Sequence, residues 1–361
     1  MYILISILLV ITSLLLFFRY YGPFGGKASI ATKKRSSQFH QGKFTNQIST
    51  PMGFSLSDIP VMLRQQFAPH PHRRPARLLV PEPFSASTIS TQEPQITWFG
   101  HSTFLLQLDG KTILLDPIFS QRSSPFQWLG PERFSKSLPA TIDQLPAIDM
   151  VVISHDHYDH LDYDSIKQLA HKTKKFFVPI GLAAHLEKWG VTDDKIVELD
   201  WWDTSSIDGF DFICTPSRHF SGRTLTDRFA TLWASWVIQS KDTKVFFSGD
   251  SGYGPHFKEI GDKYGAFDLA LLECGQYDPL WPAVHMAPEE TAQACLDLRS
   301  TRMIPMHWGG FALAFHAWTD PIERVLAASK KSQLTIITPK IGEIVKFKAD
   351  SLPTENWWDK A

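Results

Sequence analysis

The segment Ser154-His155-Asp156-His157-Tyr158-Asp159-His160 follows directly on the strand-like run Asp149 to Ile153, and it constrains this chain more than any other feature. Three imidazoles and a spaced carboxylate on one turn at a strand end are nitrogen and oxygen donors for divalent cations. There is little other physical reason to crowd them there. Such a turn needs a sheet to hold it and further strand ends to bring donors from distant parts of the chain, so the fold must be one in which several strand ends converge.

Four places supply those donors. His155 and His157 alternate so that both rings reach one ion, while Asp159 and His160 point to a second. His219, after Thr215-Pro216-Ser217-Arg218, is the candidate third imidazole of the first site. The run Phe246-Phe247-Ser248-Gly249-Asp250 ends a buried strand on a glycine and a lone carboxylate, the arrangement of an oxygen ligand that bridges two cations. Met303-Ile304-Pro305-Met306-His307 ends another strand on an imidazole that completes the second site. A single histidine at a strand end is ordinarily a hydrogen-bonded structural residue. The ordered combination of His155, His157, Asp159, His160, His219, Asp250 and His307 reads instead as a site for two divalent metal ions. Metal-assisted hydrolysis is the chemistry such a pair supports, and a phosphodiester is a natural substrate because cations neutralise charge on phosphoryl oxygens.

A length of 361 residues with 43% apolar content allows one large domain or two ordinary ones. The net charge of -1 argues against a chain built to cover nucleic-acid phosphates, so no nucleic-acid partner is expected. Cys214, Cys274 and Cys295, an odd and scattered set, do not form a disulfide framework.

Tyr2 to Phe18 is an apolar run interrupted only by Ser6, Thr12 and Ser13, near the minimum for a bilayer-spanning helix. No lysine or arginine precedes it, whereas Arg19, Lys27, Lys33, Lys34 and Arg35 follow, which places the remainder on the cytoplasmic side. A cleaved signal peptide is the competing reading, although that ordinarily has a basic start and a shorter apolar core. Residues 1–21 are read as a membrane anchor and 94–361 as the catalytic domain. Residues 22–93 are a basic Pro/Gly/Ser-rich stretch that either meets anionic headgroups or wraps the core.

After Pro94 short strands alternate with turns. Gln95 to Phe99, Thr103 to Leu108 and Lys111 to Leu115 open a sheet, the last two joined by the hairpin signal Asp109-Gly110. Further strands are predicted at Asp149 to Ile153, Lys175 to Val178, Phe210 to Thr215, Thr231 to Gln239, Lys244 to Ser248, Leu269 to Leu272, Met303 to Pro305 and Leu334 to Ile337. Helical periodicity marks Tyr163 to Lys172, Leu182 to Trp189, Pro288 to Leu298 and Pro321 to Ser329, with Asp162 and Asp320 as caps. Strands interleaved with helices predict an α/β fold, two sheets between helical layers.

The donor order and spacing resemble the metallo-beta-lactamase superfamily. Trp98-Phe99-Gly100-His101, Asp116-Pro117-Ile118-Phe119-Ser120, Gly130 to Phe134, Glu198 to Trp202, Arg223-Thr224-Leu225 and His285 to Glu290 are similar to its N-acylphosphatidylethanolamine-hydrolysing phospholipase D branch. The resemblance, from about Gln95 to Val345, implies a four-layered αββα sandwich and two ions, usually zinc. It also implies a membrane-associated phosphodiesterase that releases an N-acylethanolamine and phosphatidic acid from an N-acylated phospholipid. Another hydrolase of this fold, acting on a lactone, a cyclic phosphodiester or a nucleic acid, stays open, as does a di-iron redox centre, which usually has a glutamate where His157 stands. In the hydrolytic reading Asp159 and Asp250 orient water. His285 gives a proton to the leaving alkoxide or positions substrate, against a plain role in capping the next helix. His101 is a turn residue or a hydrogen-bond partner of a ligand rather than a ligand. Tyr158, Tyr163 and Tyr277 are candidate substrate contacts, and Trp201, Trp202, Trp281, Trp308 and Phe311 a candidate acyl groove. Glu273 departs from the expected apolar approach to Tyr277 and puts an extra carboxylate near the ions.

Overall fold

The computed structural model describes residues 2–51, 58–88 and 93–360, with backbone alone at 3, 4, 14, 15 and 88. The amino-terminal part comprises α1 (Tyr2–Tyr20), α2 (Ile30–Lys33), a small hairpin of β1 (Phe39–His40) and β2 (Lys43–Phe44), and α3 (Ile59–Phe67). Strands β3 (Gln95–Trp98), β4 (Phe104–Leu108), β5 (Lys111–Leu115), β6 (Ile148–Val152), β7 (Thr173–Pro179) and β8 (Ile196–Leu199) follow, then β9 (Thr204–Ile207), β10 (Phe210–Thr215), β11 (Ser235–Gln239), β12 (Lys244–Phe247), β13 (Leu269–Glu273), β14 (Arg302–Met306), β15 (Thr335–Ile336) and β16 (Ile344–Val345). They form two seven-stranded sheets, ordered β16-β3-β4-β5-β6-β7-β8 and β15-β14-β13-β12-β11-β10-β9.

Most of the antiparallel pairs, β3 with β4, β4 with β5, β9 with β10 and β11 with β12, are joined by short turns, and most of the parallel pairs are joined by a helix. Asp109 and Gly110 both adopt positive φ and join β4 to β5. The crossovers are α4 (Tyr163–Lys172) between β6 and β7, α5 (Ala183–Lys188) between β7 and β8, α6 (His256–Tyr264) between β12 and β13, α7 (Pro288–Asp297) between β13 and β14, and α8 (Asp320–Ser329) between β14 and β15. Side chains alternate across each strand, and the alternation sorts the cores. Phe104, Leu106, Ile113, Leu115, Met150, Val152 and Phe177 join the core that extends to the second sheet. Their neighbours Leu105, Leu114, Val151, Phe176 and Val178 pack with Ile166, Leu169 and Leu186 of α4 and α5. Two apolar faces on one sheet require cover on both sides, and four layers result.

Three expectations need correction. Among the described residues no helix is long and apolar enough to cross a membrane. The helix α1 exists, but the apolar stretch from Tyr2 to Phe18 ends at Arg19, and 17 residues at ~1.5 Å each reach only about 26 Å, short of the ~30 Å hydrocarbon core. Asp162 precedes α4 without capping it, because its carboxylate accepts from the Ser120 amide (3.1 Å) and hydroxyl (2.8 Å) and from Ser165. Asp320 lies inside α8, whose capping position is Thr319. The stretch 22–93 binds the core over much of its course: Ser36 donates to Asp200 (2.7 Å), the Phe44 amide to the Phe229 carbonyl (3.0 Å) and the Glu82 amide to the Ile341 carbonyl (2.8 Å). Its parts at 52–57 and 89–92 lie outside the described residues.

Phe177 of one sheet stacks on Phe212 of the other at 4.0 Å between centroids, and both are fully buried. Phe177→Ala is expected to lower unfolding free energy by about 3–5 kcal/mol, since the cavity lies between sheets that cannot close over it. Denaturant melts would show the loss as a lower midpoint; an unchanged midpoint would contradict this account of the core.

Candidate metal centre

Five strand ends deliver the candidate residues to one place. The turn after β6 carries His155, His157, Asp159 and His160, β10 leads to His219, β12 to Asp250, β13 ends on Glu273 and β14 leads to His307. Gly249 permits the convergence: a Cβ there would lie 2.5 Å from the Ser154 Cβ, so only glycine lets β12 of one sheet end against the β6 turn of the other. Asp116, His101 and His307 hold positive φ (37°, 56° and 65°), which costs energy in non-glycine residues and persists only where surrounding structure dictates it. For the two histidines that structure is mutual. The His101 amide donates to the Trp308 carbonyl (3.2 Å) and the His307 amide to the His101 carbonyl (3.1 Å).

The donors fall into two groups of four, each with its ligand atoms within 4.8 Å of one another, His155, His157, His219 and Asp250, and His101, Asp159, His160 and His307; a third group, Asp250, His285 and His307, overlaps both. In the first, His155 Nε2 and His219 Nε2 lie 3.0 and 3.2 Å from His157 Nδ1, and 3.8 and 3.7 Å from Asp250 Oδ2. In the second, His160 Nε2 and His307 Nε2 stand 3.4 and 3.8 Å from Asp159 Oδ2. Asp250 faces both groups, its Oδ1 lying 3.1 Å from His160 Nε2 and 3.2 Å from His307 Nδ1. The structure thus brings together all seven residues named from the sequence.

The arrangement fits divalent cations. His160 Nε2 and Asp250 Oδ1 are buried, face each other, and have no hydrogen-bond partner among the described residues, a condition seldom tolerated in a protein interior. Imidazole and carboxylate together suit zinc, iron and manganese.

Several supporting residues were not legible as such. Asp116 accepts from His160 Nδ1 (2.7 Å), the Ser154 hydroxyl (2.6 Å) and the Ser154 amide (2.7 Å), which fixes the ring so that Nε2 points into the site. Asn46 clamps the backbone of His219 by donating to its carbonyl (2.9 Å) and accepting from its amide (3.1 Å). Arg223 donates to the carbonyls of Asp156 (2.6 Å) and Leu161 (2.8 Å) and so pins both ends of the donor turn. A buried polar residue reached from a distant strand leaves no local periodic signal, so only motif membership, as for Asp116 and Arg223, could have flagged them.

The remaining candidates are placed as follows. His101 Nε2 lies 2.9 Å from Asp159 Oδ2, in hydrogen-bond contact with a candidate ligand and within reach of the second group. His285 stacks on His307 (5.4 Å) and its Nδ1 contacts Glu273, with its ring beside Asp250. Tyr158 donates to the Arg223 carbonyl (2.7 Å), with the Arg223 guanidinium 4.0 Å from its ring. Tyr158 and Tyr163 line a cavity of about 430 Å³ that also touches Tyr21 and Arg223. Tyr277 is drawn away from the donors: its hydroxyl donates to Asp320 and its ring stacks on His316. Trp201, Trp308 and Phe311 are buried in packing and form no open groove.

Burial sets the charge states of the metal-free centre. It holds His155, His219 and His307 well below the usual imidazole range, helped by neighbouring imidazoles, and brings His101 and His157 down to about 4. His160 runs the other way, because Asp250 and Asp159 outweigh its burial and raise it. Burial pushes Asp250 up to about 7 against the pull of His160, whereas for Asp159 burial is overcome by His160 and His101 and the carboxyl is lowered. The depressed imidazoles resist protons that the unfolded chain accepts below its ordinary 6.5, so their effect is to remove stability as pH falls from about 6.5 toward about 4. His160, with its raised pKa, contributes stability that is complete below 6.5 and lost as pH rises through its folded value. The buried carboxyls of Asp250, Asp116 and Glu273, raised by burial, act in the same sense as His160, but these four are outnumbered by seven depressed histidines once His285 and His256 are included. The melting temperature of the metal-stripped protein is therefore expected to drop between pH 6.5 and 4; a flat or rising series of melts would refute the burial argument.

Comparison with known proteins agrees with this geometry. Residues 111–308 match the model of the Beta-lactamase superfamily domain. An uncharacterized protein of Mycobacterium tuberculosis, Rv0906, is 41% identical over 91% of this chain and 89% of its own length. The N-acyl-phosphatidylethanolamine-hydrolyzing phospholipase D 1 of Caenorhabditis elegans is 32% identical over 69% of this chain and 74% of its own. Among solved structures, Igni18, a metallo hydrolase of Ignicoccus hospitalis, shares the fold with a TM-score of 0.55 at 24% identity, covering 70% of this chain and 98% of that one. The chain belongs to the metallo-beta-lactamase superfamily, in the branch of the N-acyl-phosphatidylethanolamine-hydrolyzing phospholipases D, and is a metal-dependent hydrolase of that family.

Proposed function

We propose that the protein is a zinc-dependent phosphodiesterase of phospholipase D type that cleaves N-acylphosphatidylethanolamine-like lipids at a membrane surface into N-acylethanolamine and phosphatidic acid. The observation that carries this reading is what adjoins the donor turn. The cavity lined by Tyr158, Tyr163 and Arg223 is bounded on its other side by Tyr20, Tyr21 and Pro23, where α1 ends. The helix exposes Leu8, Leu9, Val10, Leu16 and Phe18 to its surroundings, and Phe17 and Tyr21 stack on Phe126 beside the exposed Trp128. An exposed apolar helix with Arg19, Lys27, Lys33 and Lys34 after it is suited to lie in a lipid interface with anionic headgroups. A substrate drawn from that interface would reach the centre past Tyr158.

His155, His157 and His219, together with Asp159, His160 and His307 and the carboxylate of Asp250 that faces both groups, would hold two divalent cations, which would supply Lewis acidity to offset charge on phosphoryl oxygens and to lower the pKa of water toward about 7. The chain's own part is to orient and to move protons. Asp159 and Asp250 accept hydrogen bonds from the attacking water. As its oxygen bonds to phosphorus it gives a proton to His285 Nε2, the bond from phosphorus to the ethanolamine oxygen breaks, and His285 passes that proton to the leaving oxygen.

Purified, zinc-loaded protein is expected to release N-acylethanolamine from N-acylphosphatidylethanolamine in vesicles. Asp159→Asn should abolish turnover and His285→Ala should lower kcat by about 100- to 10,000-fold. Cleavage of a generic phosphodiester with the lipid left intact would sink the lipid assignment and leave the hydrolase. Full activity of His285→Ala would remove that residue from the reaction.

A further inference from the structure

Glu273 takes no part in the reaction outlined above, yet it is fully buried at the end of β13, beside the centre. Its two oxygens have separate partners. Oε2 accepts the backbone N–H of Ser251 at 2.6 Å, and Oε1 contacts Nδ1 of His285. Ser251 is the residue after Asp250, so one carboxyl group ties the turn that carries the shared carboxylate to the ring of His285. That ring meets His219 edge-on (5.1 Å) and lies flat on His307 (5.4 Å, 10°), so its plane is fixed on three sides. With Nδ1 committed to Glu273, Nε2 is the nitrogen left to address a substrate. The strand around Glu273 is otherwise apolar, Leu269, Ala270, Leu271 and Leu272 being fully buried, and nothing in sheet packing calls for an acid there.

We infer that Glu273 is a positioning residue: it locks the ring of His285 through Nδ1 so that Nε2 faces the reacting oxygen, and it couples that ring to the Asp250 turn through Ser251. This deepens the phosphodiesterase reading above, on which it rests. A carboxylate that orients an imidazole acts only through that imidazole, and this property separates it from a residue that merely fills space.

The test is a double-mutant cycle on the zinc-loaded protein, with the N-acylated lipid and bis(p-nitrophenyl) phosphate as substrates. E273A is expected to lower kcat by about 100-fold with KM unchanged within about twofold, because an unpositioned proton donor costs transition-state stabilisation and not ground-state binding. E273Q keeps a carbonyl oxygen for the Ser251 amide but presents an NH2 donor to Nδ1, which can no longer donate there, so the imidazole is held in the wrong tautomer and kcat should fall about as far as in E273A. In an H285A background either substitution should change kcat by less than about twofold, the signature of residues that work as one unit. Zinc content should match wild type throughout. Independently of activity, a low-field imidazole proton resonance from the Glu273 to His285 contact should appear in wild type and vanish in both E273A and H285A.

An undiminished E273A effect in the H285A background, or zinc content falling with activity, overturns the positioning role. Should E273A not fold, E273Q alone and in H285A decides the cycle. Should wild type cleave neither substrate, the functional reading fails on that ground, and the proton resonance still decides whether Glu273 holds the ring; its absence from wild type overturns the inference.

Discussion

Asp250 faces both donor groups, and the rest of the centre is arranged around that carboxylate. It is buried among the imidazoles of His155, His157, His160, His219, His285 and His307 with the carboxylate of Asp159 nearby, where each ionised group carries a desolvation cost that only a close opposite charge offsets. The metal-free protein shows the tension in its charge states: most of the imidazoles are held neutral, His160 alone is driven toward its charged form, and Asp250 is pushed up toward neutrality. Bound cations would relieve it by pairing the buried His160 Nε2 and Asp250 Oδ1.

The two sheets exist, in functional terms, to bring that carboxylate against the β6 turn. Because β6 and β14 are parallel to both their neighbours and β12 is parallel to β13, and all three are followed by crossovers, their carboxyl ends lie on one edge of the sandwich, where loops are free to carry donors. Closeness at that edge is bought with conformations a free chain avoids, the positive φ of Asp116, His101 and His307 and the obligate glycine before Asp250. Backbone hydrogen bonds between His101 and the His307 turn hold two of these in place, and the carboxylate of Asp116 both anchors Ser154 and aims His160. The basic stretch before β3 belongs to this support as well, since Asn46 grips His219 from outside the sandwich.

Regular elements were legible wherever side-chain periodicity reported burial. The strands from Gln95 to Leu115, the run before Ser154 and the helices at Tyr163 and Pro288 fall within a residue or two of expectation, since alternation and helical spacing each mark the face that meets a core. Strands β8, β9 and β16 escaped notice; at β9, Thr-Ser-Ser-Ile at a sheet edge, pairing with β10 and not apolar content makes the strand. Helix α6 also escaped, although Phe257 and Ile260 mark its buried face. For Tyr277, read from the sequence as a candidate substrate contact, nothing in the local sequence signalled that its ring stacks on His316 and its hydroxyl bonds to Asp320.

The chain by itself determined the donor types, their order and their places at strand ends, because those follow from local pattern and from which side chains bind cations. It also carried the apolar start of α1, a matter of composition. Only the tertiary structure decided which donors share a group, that Asp250 reaches both, that Asp116, Asn46, Arg223 and Glu273 hold the donors from behind, and that the end of α1 closes a cavity beside Tyr158. These depend on distances between residues tens to hundreds of positions apart, which are fixed by how two sheets pack face to face and have no trace in any local stretch of sequence.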